Sequence, residues 1–174
     1  MKKIIITVLI LILISGLILW AKGKDMREIK TEIDIAATPE KVWNILTDIE
    51  KWEEWSPIIN KSSGSPSLGS KLSITMCGED GKEGKAGPKY EPVITILEEP
   101  KNFTWRAKMM AGFIMTNGKV FELEEIGTGT RLVHKETFSG LMVPMFWGHV
   151  EKNVPKMLDS MNEALKTLIE KNPD

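Results

Sequence analysis

Apolar and polar residues alternate strictly over residues 29–35, where isoleucine or threonine is followed each time by a charged residue. A period of two predicts a strand with one buried face. The spacing then becomes helical. Thr38 and Pro39 are typical of an N-cap and a first helical position, and the apolar residues that follow are Val42, Ile45, Leu46 and Ile49. The pattern predicts a strand followed by a short amphipathic helix.

The next segment ends in two tryptophans three residues apart. Asp48 can cap a second short helix that places Trp52 and Trp55 on one face, and Pro57 discourages its continuation. Such a pair either plugs the interior of a fold or forms the lip of a ligand pocket. We interpret Trp52 as a packing residue, and Trp55, beside the helix break, as the one better placed to contact a ligand.

Several further strands are predicted from alternation, from β-branched and aromatic residues and from the turn residues between them. They cover residues 71–77, 92–99, 102–109, 119–126 and 130–138. Connections this short require antiparallel neighbours. The polar, glycine-rich segment 78–89 is predicted to be a hairpin loop. It misses the phosphate-binding pattern, because Lys85 is followed by Ala86 where that pattern needs serine or threonine.

A long amphipathic helix is predicted from about Phe146 to the C-terminus. Pro155 interrupts its pattern, so we expect a kink or an irregular first turn there. The apolar stripe consists of Trp147, Val150, Val154, Met157, Leu158, Met161, Leu165 and Leu168. Strands followed by one long helix predict an α+β fold, in which a curved antiparallel sheet is covered by the helix.

The N-terminus differs in composition from the rest. Residues 4–21 are eighteen residues without a charge, preceded by Lys2 and Lys3. As a helix they would reach roughly 27 Å, close to the thickness of a bilayer core. We expect an uncleaved single-pass anchor. A cleaved signal peptide is the alternative, with Ala21-Lys22-Gly23 as the small-x-small site. By the positive-inside rule, the distribution of basic residues on the two sides of this segment slightly favours a cytoplasmic location for the domain.

The predicted organisation is therefore an anchor and linker over residues 1–27 and one folded domain over residues 28–174. Residues 31–174 hold 17 basic and 22 acidic residues without a basic cluster. This balance argues against nucleic acid, and against anionic headgroups as the main partner. Cys77 is the only cysteine, which excludes disulfide scaffolds and cysteine-based zinc sites. The two histidines have no metal-ligand spacing, so we expect neither metal nor cofactor.

Two stretches resemble a known family. "IDIAATPEKVWNILTDIEKWEEWSP" is similar to the opening of the helix-grip superfamily, called START-like or SRPBCC, which includes polyketide cyclase-like proteins. "FELEEIGTGTRLVHKETFSGLMVP" and the later "MNEALK" are similar to its closing strands and last helix. The resemblance covers about residues 28–170 and implies a cavity between sheet and helix. It is specific for the fold but not for the chemistry, since the superfamily holds lipid carriers, receptors, cyclases and chaperone co-factors.

Two polar residues in the last predicted strand are candidates for chemistry. Because side chains alternate between the two faces of a strand, His134 and Glu136 are predicted to face inward together with Leu132 and Phe138. A histidine and a carboxylate on a cavity face can perform acid–base catalysis. They can also orient a ligand through polar contacts, or hydrogen-bond with each other, the backbone or water as a structural patch. All three interpretations stay open from the sequence.

An aromatic and methionine-rich set supplies the candidate ligand contacts. Such residues are ordinarily core, but methionine is common where apolar surfaces accept varied shapes. Several lie in the loop-like stretches 109–115 and 140–147, beside the cavity mouth of the implied fold. Core packing and pocket lining remain equal alternatives for the set, which is Trp55, Trp105, Met109, Phe113, Met115, Phe121, Phe138, Met142, Phe146, Trp147, Met157 and Met161.

Together these features predict a membrane-tethered domain that binds a small hydrophobic molecule or lipid without transforming it. One alternative is a cyclase or dehydratase that uses His134 and Glu136. Another is a protein-interaction module, which an apolar outer patch away from the cavity would favour.

Overall fold

The computed structural model describes residues 2–22, 26–78, 81–109, 111–127 and 129–172, and within these it leaves out the side chains of residues 2–3, 17–22 and 81–85. The helices are α1 (Lys2–Lys22), α2 (Pro39–Thr47), α3 (Trp52–Trp55) and α4 (Val143–Lys171), with a 3₁₀ turn at Ile49–Lys51. The strands are β1 (Arg27–Ile35), β2 (Ile59–Ser63), β3 (Ser73–Gly78), β4 (Gly81–Tyr90), β5 (Val93–Glu98), β6 (Asn102–Lys108), β7 (Thr116–Ile126) and β8 (Gly129–Ser139).

The strands form two antiparallel sheets. Five strands pair in the order β1-β8-β7-β6-β5, and three pair in the order β2-β3-β4. A bridge between Lys71 and Val93 joins the two sheets, supported by backbone hydrogen bonds such as Leu72 N–H to the Pro92 carbonyl at 2.9 Å. The antiparallel neighbours predicted from the short connections are confirmed for β5 to β8. The first strand pairs with the last and forms one edge of the five-stranded sheet.

Helix α2 begins as predicted. The Thr38 hydroxyl accepts a hydrogen bond from the Lys41 backbone N–H at 3.4 Å, and Pro39 is the first helical residue. The first N–H groups of a helix have no partner within the helix. The Thr38 hydroxyl supplies a partner for one of them, and Pro39 has no N–H group that needs one. The buried face of the helix consists of Val42, Trp43 and Leu46. It lies against the five-stranded sheet and α4.

Helix α4 lies along the concave face of the sheet, and its apolar stripe divides the interior into two clusters. The larger one joins Met161, Leu165 and Ile169 to α2, α3 and both sheets. The smaller one joins Val150 and Leu158 to the far end of β1 and β8. Both clusters are built from Ile29 onward, so a fragment of residues 24–174 retains the whole of each.

Three sequence-based expectations need correction. The predicted hairpin loop 78–89 is wrong at Gly78, the last residue of β3, and over residues 81–89, which belong to β4, because pairing between the two strands overrides the low strand propensity of glycine and lysine. Glu79 and Asp80 lie outside the described residues. Strand β2 was not predicted, since its sequence "INKSS" lacks alternation. Helix α4 begins at Val143 rather than Phe146 and continues through Pro155.

The N-terminal segment forms helix α1, and the described side chains of residues 4–16 are all exposed. Within the part of the chain that the structure describes, no helix meets the length and apolarity of a membrane span. The expected transmembrane helix is therefore not found in this structure, and residues 23–25 of the expected linker lie outside the described residues.

Candidate functional site

A cavity of about 380 Å³ lies between α4 and the inner faces of both sheets. Its size is within the range of small-molecule sites, and its walls are mostly apolar. Every layer of the fold contributes, so the cavity exists only once the whole domain is assembled. The lining residues are Trp52, Ile59, Ile74, Met76, Tyr90, Trp105, Met109, Met115, Asn117, Lys119, Glu136, Phe138, Phe146, His149, Val150, Val154, Met157 and Met161.

The structure brings a little over half of the predicted ligand-binding residues to this cavity. Those that line it are Trp105, Met109, Met115, Glu136, Phe138, Phe146, Met157 and Met161. The others belong elsewhere: Phe113 is exposed, Phe121 and His134 are buried behind the wall, and Trp55, Met142 and Trp147 are not among the lining residues. Alternation along β8 predicted the inward faces correctly, but it could not tell a cavity wall from solid core.

We expected Trp55 rather than Trp52 to contact a ligand, but of the two it is Trp52 that lines the cavity. Trp52 is fully buried, donates its indole N–H to the Leu46 carbonyl at 2.9 Å, and also lines the cavity. Its ring packs edge-on against those of Phe103 and Phe121, with centroid separations of 6.5 and 6.1 Å. Trp55 is only half-buried and lines a separate outer groove beside Lys41 and Leu168. Trp52 is therefore both packing residue and cavity wall.

Several lining residues were not singled out from the sequence. Ile59 lies in a strand that had no periodic signal, and Tyr90 follows the segment taken for a loop. The alternation along β7 would have placed Asn117 and Lys119 inward together with Phe121, so that signal was available. The helical spacing of Val150 and Val154 with Met157 and Met161 was likewise present in the predicted stripe.

A buried polar cluster lies within the apolar wall. Lys119 and Glu136 stand opposite each other on β7 and β8, and their charged atoms are 3.7 Å apart. Their side chains are only 6% and 10% exposed. The Asn117 amide donates to the other carboxylate oxygen of Glu136 at 2.8 Å. A buried charge needs a partner of opposite sign, so these residues hold each other in place.

Two polar atoms of this region have no hydrogen-bond partner among the described residues: Oε2 of Glu136 and the indole nitrogen of Trp105. Both atoms are almost fully shielded from solvent, and Oε2 is the oxygen that faces the Lys119 ammonium. Burial, and to a smaller degree the charge of Glu136, raise the pKa of the Tyr90 phenol. Tyr90 is thus a neutral hydroxyl on the same wall.

His134 has a different environment. It is fully buried, stacks on Phe121 at 4.3 Å, and shares a 2.8 Å hydrogen bond between its Nδ1 and Oδ1 of Asn162. The Asn162 amide nitrogen donates to Thr31 at 2.9 Å, so the Asn162 oxygen accepts from the histidine. Burial, and then the positive charge of Lys119, lower the pKa of His134 well below its usual value. It is a neutral residue that joins β8, α4 and β1.

This arrangement separates the two proposed acid–base residues. Glu136 lines the cavity, whereas His134 does not. A general acid or base must come within hydrogen-bonding distance of its substrate, so the two do not form one catalytic pair in this geometry. The described residues also contain no group of three or more metal-ligating side chains that could hold an ion.

Comparisons with known proteins agree with this architecture. The family model described as polyketide cyclase / dehydrase and lipid transport matches residues 26–170. Protein NE0264 from Nitrosomonas europaea superposes with a TM-score of 0.66 at 16% identity, covering 83% of this chain and 94% of that one. For Ara h 8.0201 the TM-score is 0.62 at 14% identity, covering 85% and 100%. A comparison with curated protein sequences gave no match.

A further neighbour is the di-domain ARO/CYC StfQ from the steffimycin biosynthetic pathway, with a TM-score of 0.68 at 11% identity. The superposition covers 84% of this chain but 52% of StfQ, so this chain corresponds to about half of that two-domain protein. Likeness at these identities shows a shared fold. It does not transfer an activity.

Proposed function

The chain belongs to the polyketide cyclase / dehydrase and lipid transport family, within the START-like superfamily, and from that premise we propose that it binds a small hydrophobic molecule in the cavity under α4. The observation that carries the proposal is the cavity of about 380 Å³ with an apolar wall and a buried polar cluster. Apolar lining supplies affinity, and a few polar groups supply orientation.

The polar cluster narrows the chemical class of the ligand. Lys119 and Glu136 neutralise each other, so a charged ligand group would leave one of the three charges without a partner. A neutral hydroxyl suits the site better, because it can exchange hydrogen bonds with the Tyr90 hydroxyl on the same wall without adding a charge. The ligand we propose is therefore an amphipathic molecule with an apolar body and one neutral hydroxyl-bearing end.

A plug placed in the cavity tests this proposal. Val154 lines the cavity from α4, and the Val154→Trp variant of fragment 24–174 is expected to bind the dye N-phenyl-1-naphthylamine at least about tenfold more weakly, because the indole occupies the space. Fluorescence titration measures the dissociation constant. Native mass spectrometry of the wild-type fragment is expected to show a co-purified small molecule.

Lys152→Trp is the matched control, since Lys152 is exposed on the same helix and does not line the cavity. It is expected to leave dye binding unchanged. Circular dichroism of both variants checks that the helix is intact. Equal dye binding by the two variants, or no dye binding by the wild-type fragment, would contradict the proposal.

We further propose that residues 4–21 remain in the mature protein and tether it to a membrane. The support is the uncharged sequence of this segment, in which each leucine, isoleucine and valine favours insertion by a few tenths of a kcal/mol. The full chain is expected to stay with membranes through an alkaline carbonate wash and to retain residues 4–21, while fragment 24–174 washes off. A washed-off species beginning after Gly23 would instead identify a cleaved signal peptide.

A further inference from the structure

Exposed apolar side chains surround one end of the cavity. They lie in two segments, residues 109–115 and 140–148, which we call the rim; Met110 within the first segment lies outside the described residues. Phe113 and Met145 are 69% and 74% exposed, and Phe146 is 47% exposed although it also lines the cavity. Charged residues make up 27% of the chain, yet the rim contains none. Apolar groups concentrated in this way on a surface are typical of an interaction site.

Backbone hydrogen bonds join the two segments of the rim. Leu141 N–H donates to the Phe113 carbonyl at 3.2 Å, and Met142 N–H donates to the Ile114 carbonyl at 3.1 Å. Gly140 permits this approach, because its φ of +123° favours glycine and a Cβ there would run into the Ile114 carbonyl. The exposed side chains therefore project from a fixed scaffold.

Strand register places the beginning of the folded domain at this same end. Arg27, the first residue of β1, is opposite Phe138 near the end of β8, and Ser139 is opposite Thr116. The Arg27 guanidinium lies 5.0 Å from the ring centre of Trp147, a residue of the rim. Helix α1 ends at Lys22. At about 3.5 Å per residue, the apolar N-terminal segment ends within about 18 Å of β1.

We propose that the rim docks on a lipid bilayer, so that the cavity opens toward the membrane from which its ligand enters. This extends the proposed function and takes the bilayer as the single partner. A tether fixed beside the rim keeps the rim at high effective concentration near the surface, so weak insertion is sufficient. The absence of charge from the rim and the acidic excess of residues 31–174 favour uncharged lipid over anionic headgroups.

Vesicle binding by fragment 24–174 tests docking without the tether. We expect the fragment to float with phosphatidylcholine vesicles in a density gradient, and the double variant Phe113→Ser/Met145→Ser to bind at least about tenfold more weakly. Neither residue lines the cavity. Leu68→Ser is the matched control, because Leu68 is equally exposed, at 69%, in the connection between β2 and β3. It is expected to bind vesicles like the wild type.

Dye binding to the cavity, measured in the same samples without vesicles, distinguishes this inference from the proposed function. Retained dye binding by the double variant, together with lost flotation, supports docking. Equal flotation of the double variant and the wild type overturns it, and so does a wild-type fragment that stays unbound at millimolar lipid. The rim could instead pair two copies of the chain. In that case light scattering would show a dimer of the wild-type fragment and a monomer of the double variant, and flotation would be the same for both. This result would also overturn the proposal.

Discussion

Lys119→Met is expected to lower the free energy of unfolding of fragment 24–174 by about 3 kcal/mol at pH 7. The substitution leaves the Glu136 carboxylate almost fully buried without its cation, and an unpaired buried charge is strongly destabilising. Asn117 still donates to the carboxylate, but one hydrogen bond does not replace an ion pair. Urea unfolding followed by circular dichroism measures the change.

The double variant Lys119→Met/Glu136→Gln separates charge from packing. It removes both charges while the glutamine oxygen can still accept from Asn117, so it is expected to regain most of the lost stability. Lys135→Met is the outer-face control. Lys135 pairs with Glu122 at 2.7 Å on the same two strands, but the pair is 20% and 33% exposed, and its loss should cost less than about 1 kcal/mol. Equal losses for Lys119→Met and Lys135→Met would show that the cavity wall is well hydrated.

Trp52→Ala is expected to be the most destabilising single change, at about 4 kcal/mol. The indole is fully buried against Phe103 and Phe121 and donates to the Leu46 carbonyl, so the variant leaves a cavity and an unpaired acceptor. Thermal and urea unfolding of fragment 24–174 measure the loss.

Trp55→Ala provides the comparison, because the second tryptophan is half-buried on an outer groove. Its replacement should cost less than half as much. Trp52→Phe, which keeps a ring but loses the hydrogen bond, should fall between the two variants. Similar losses for Trp52→Ala and Trp55→Ala would contradict the central position that the structure gives to Trp52.

The sequence predicted those elements whose pattern is local. Alternation along residues 29–35 and 130–138, and helical spacing through the C-terminal segment, gave β1, β8 and α4, and the resemblance supplied their assembly around a cavity. The start of β4 could not be predicted in this way. Its residues "GKEGKAGPKY" have poor strand propensity, and only the partner strand β3 makes them extended.

The site was less predictable for a related reason. Period two distinguishes inside from outside, yet His134 and Glu136, both inward on one strand, differ completely in role. That difference depends on what lies across the interior: Asn162 and Phe121 surround His134, whereas Glu136 meets Lys119 beside empty space. Such information comes from residues distant in sequence, which no local pattern contains.

The pairing of the first strand with the last has a consequence for biosynthesis. The partner of β1 is about a hundred residues downstream, so at typical ribosome speeds β1 waits on the order of 5–20 s for β8 to appear. Throughout that interval it is an unpaired edge with an isoleucine-rich face, the kind of segment that aggregates. Its other face has the charged residues Lys30, Glu32 and Asp34, and charges in such a strand oppose self-association while it is unpaired.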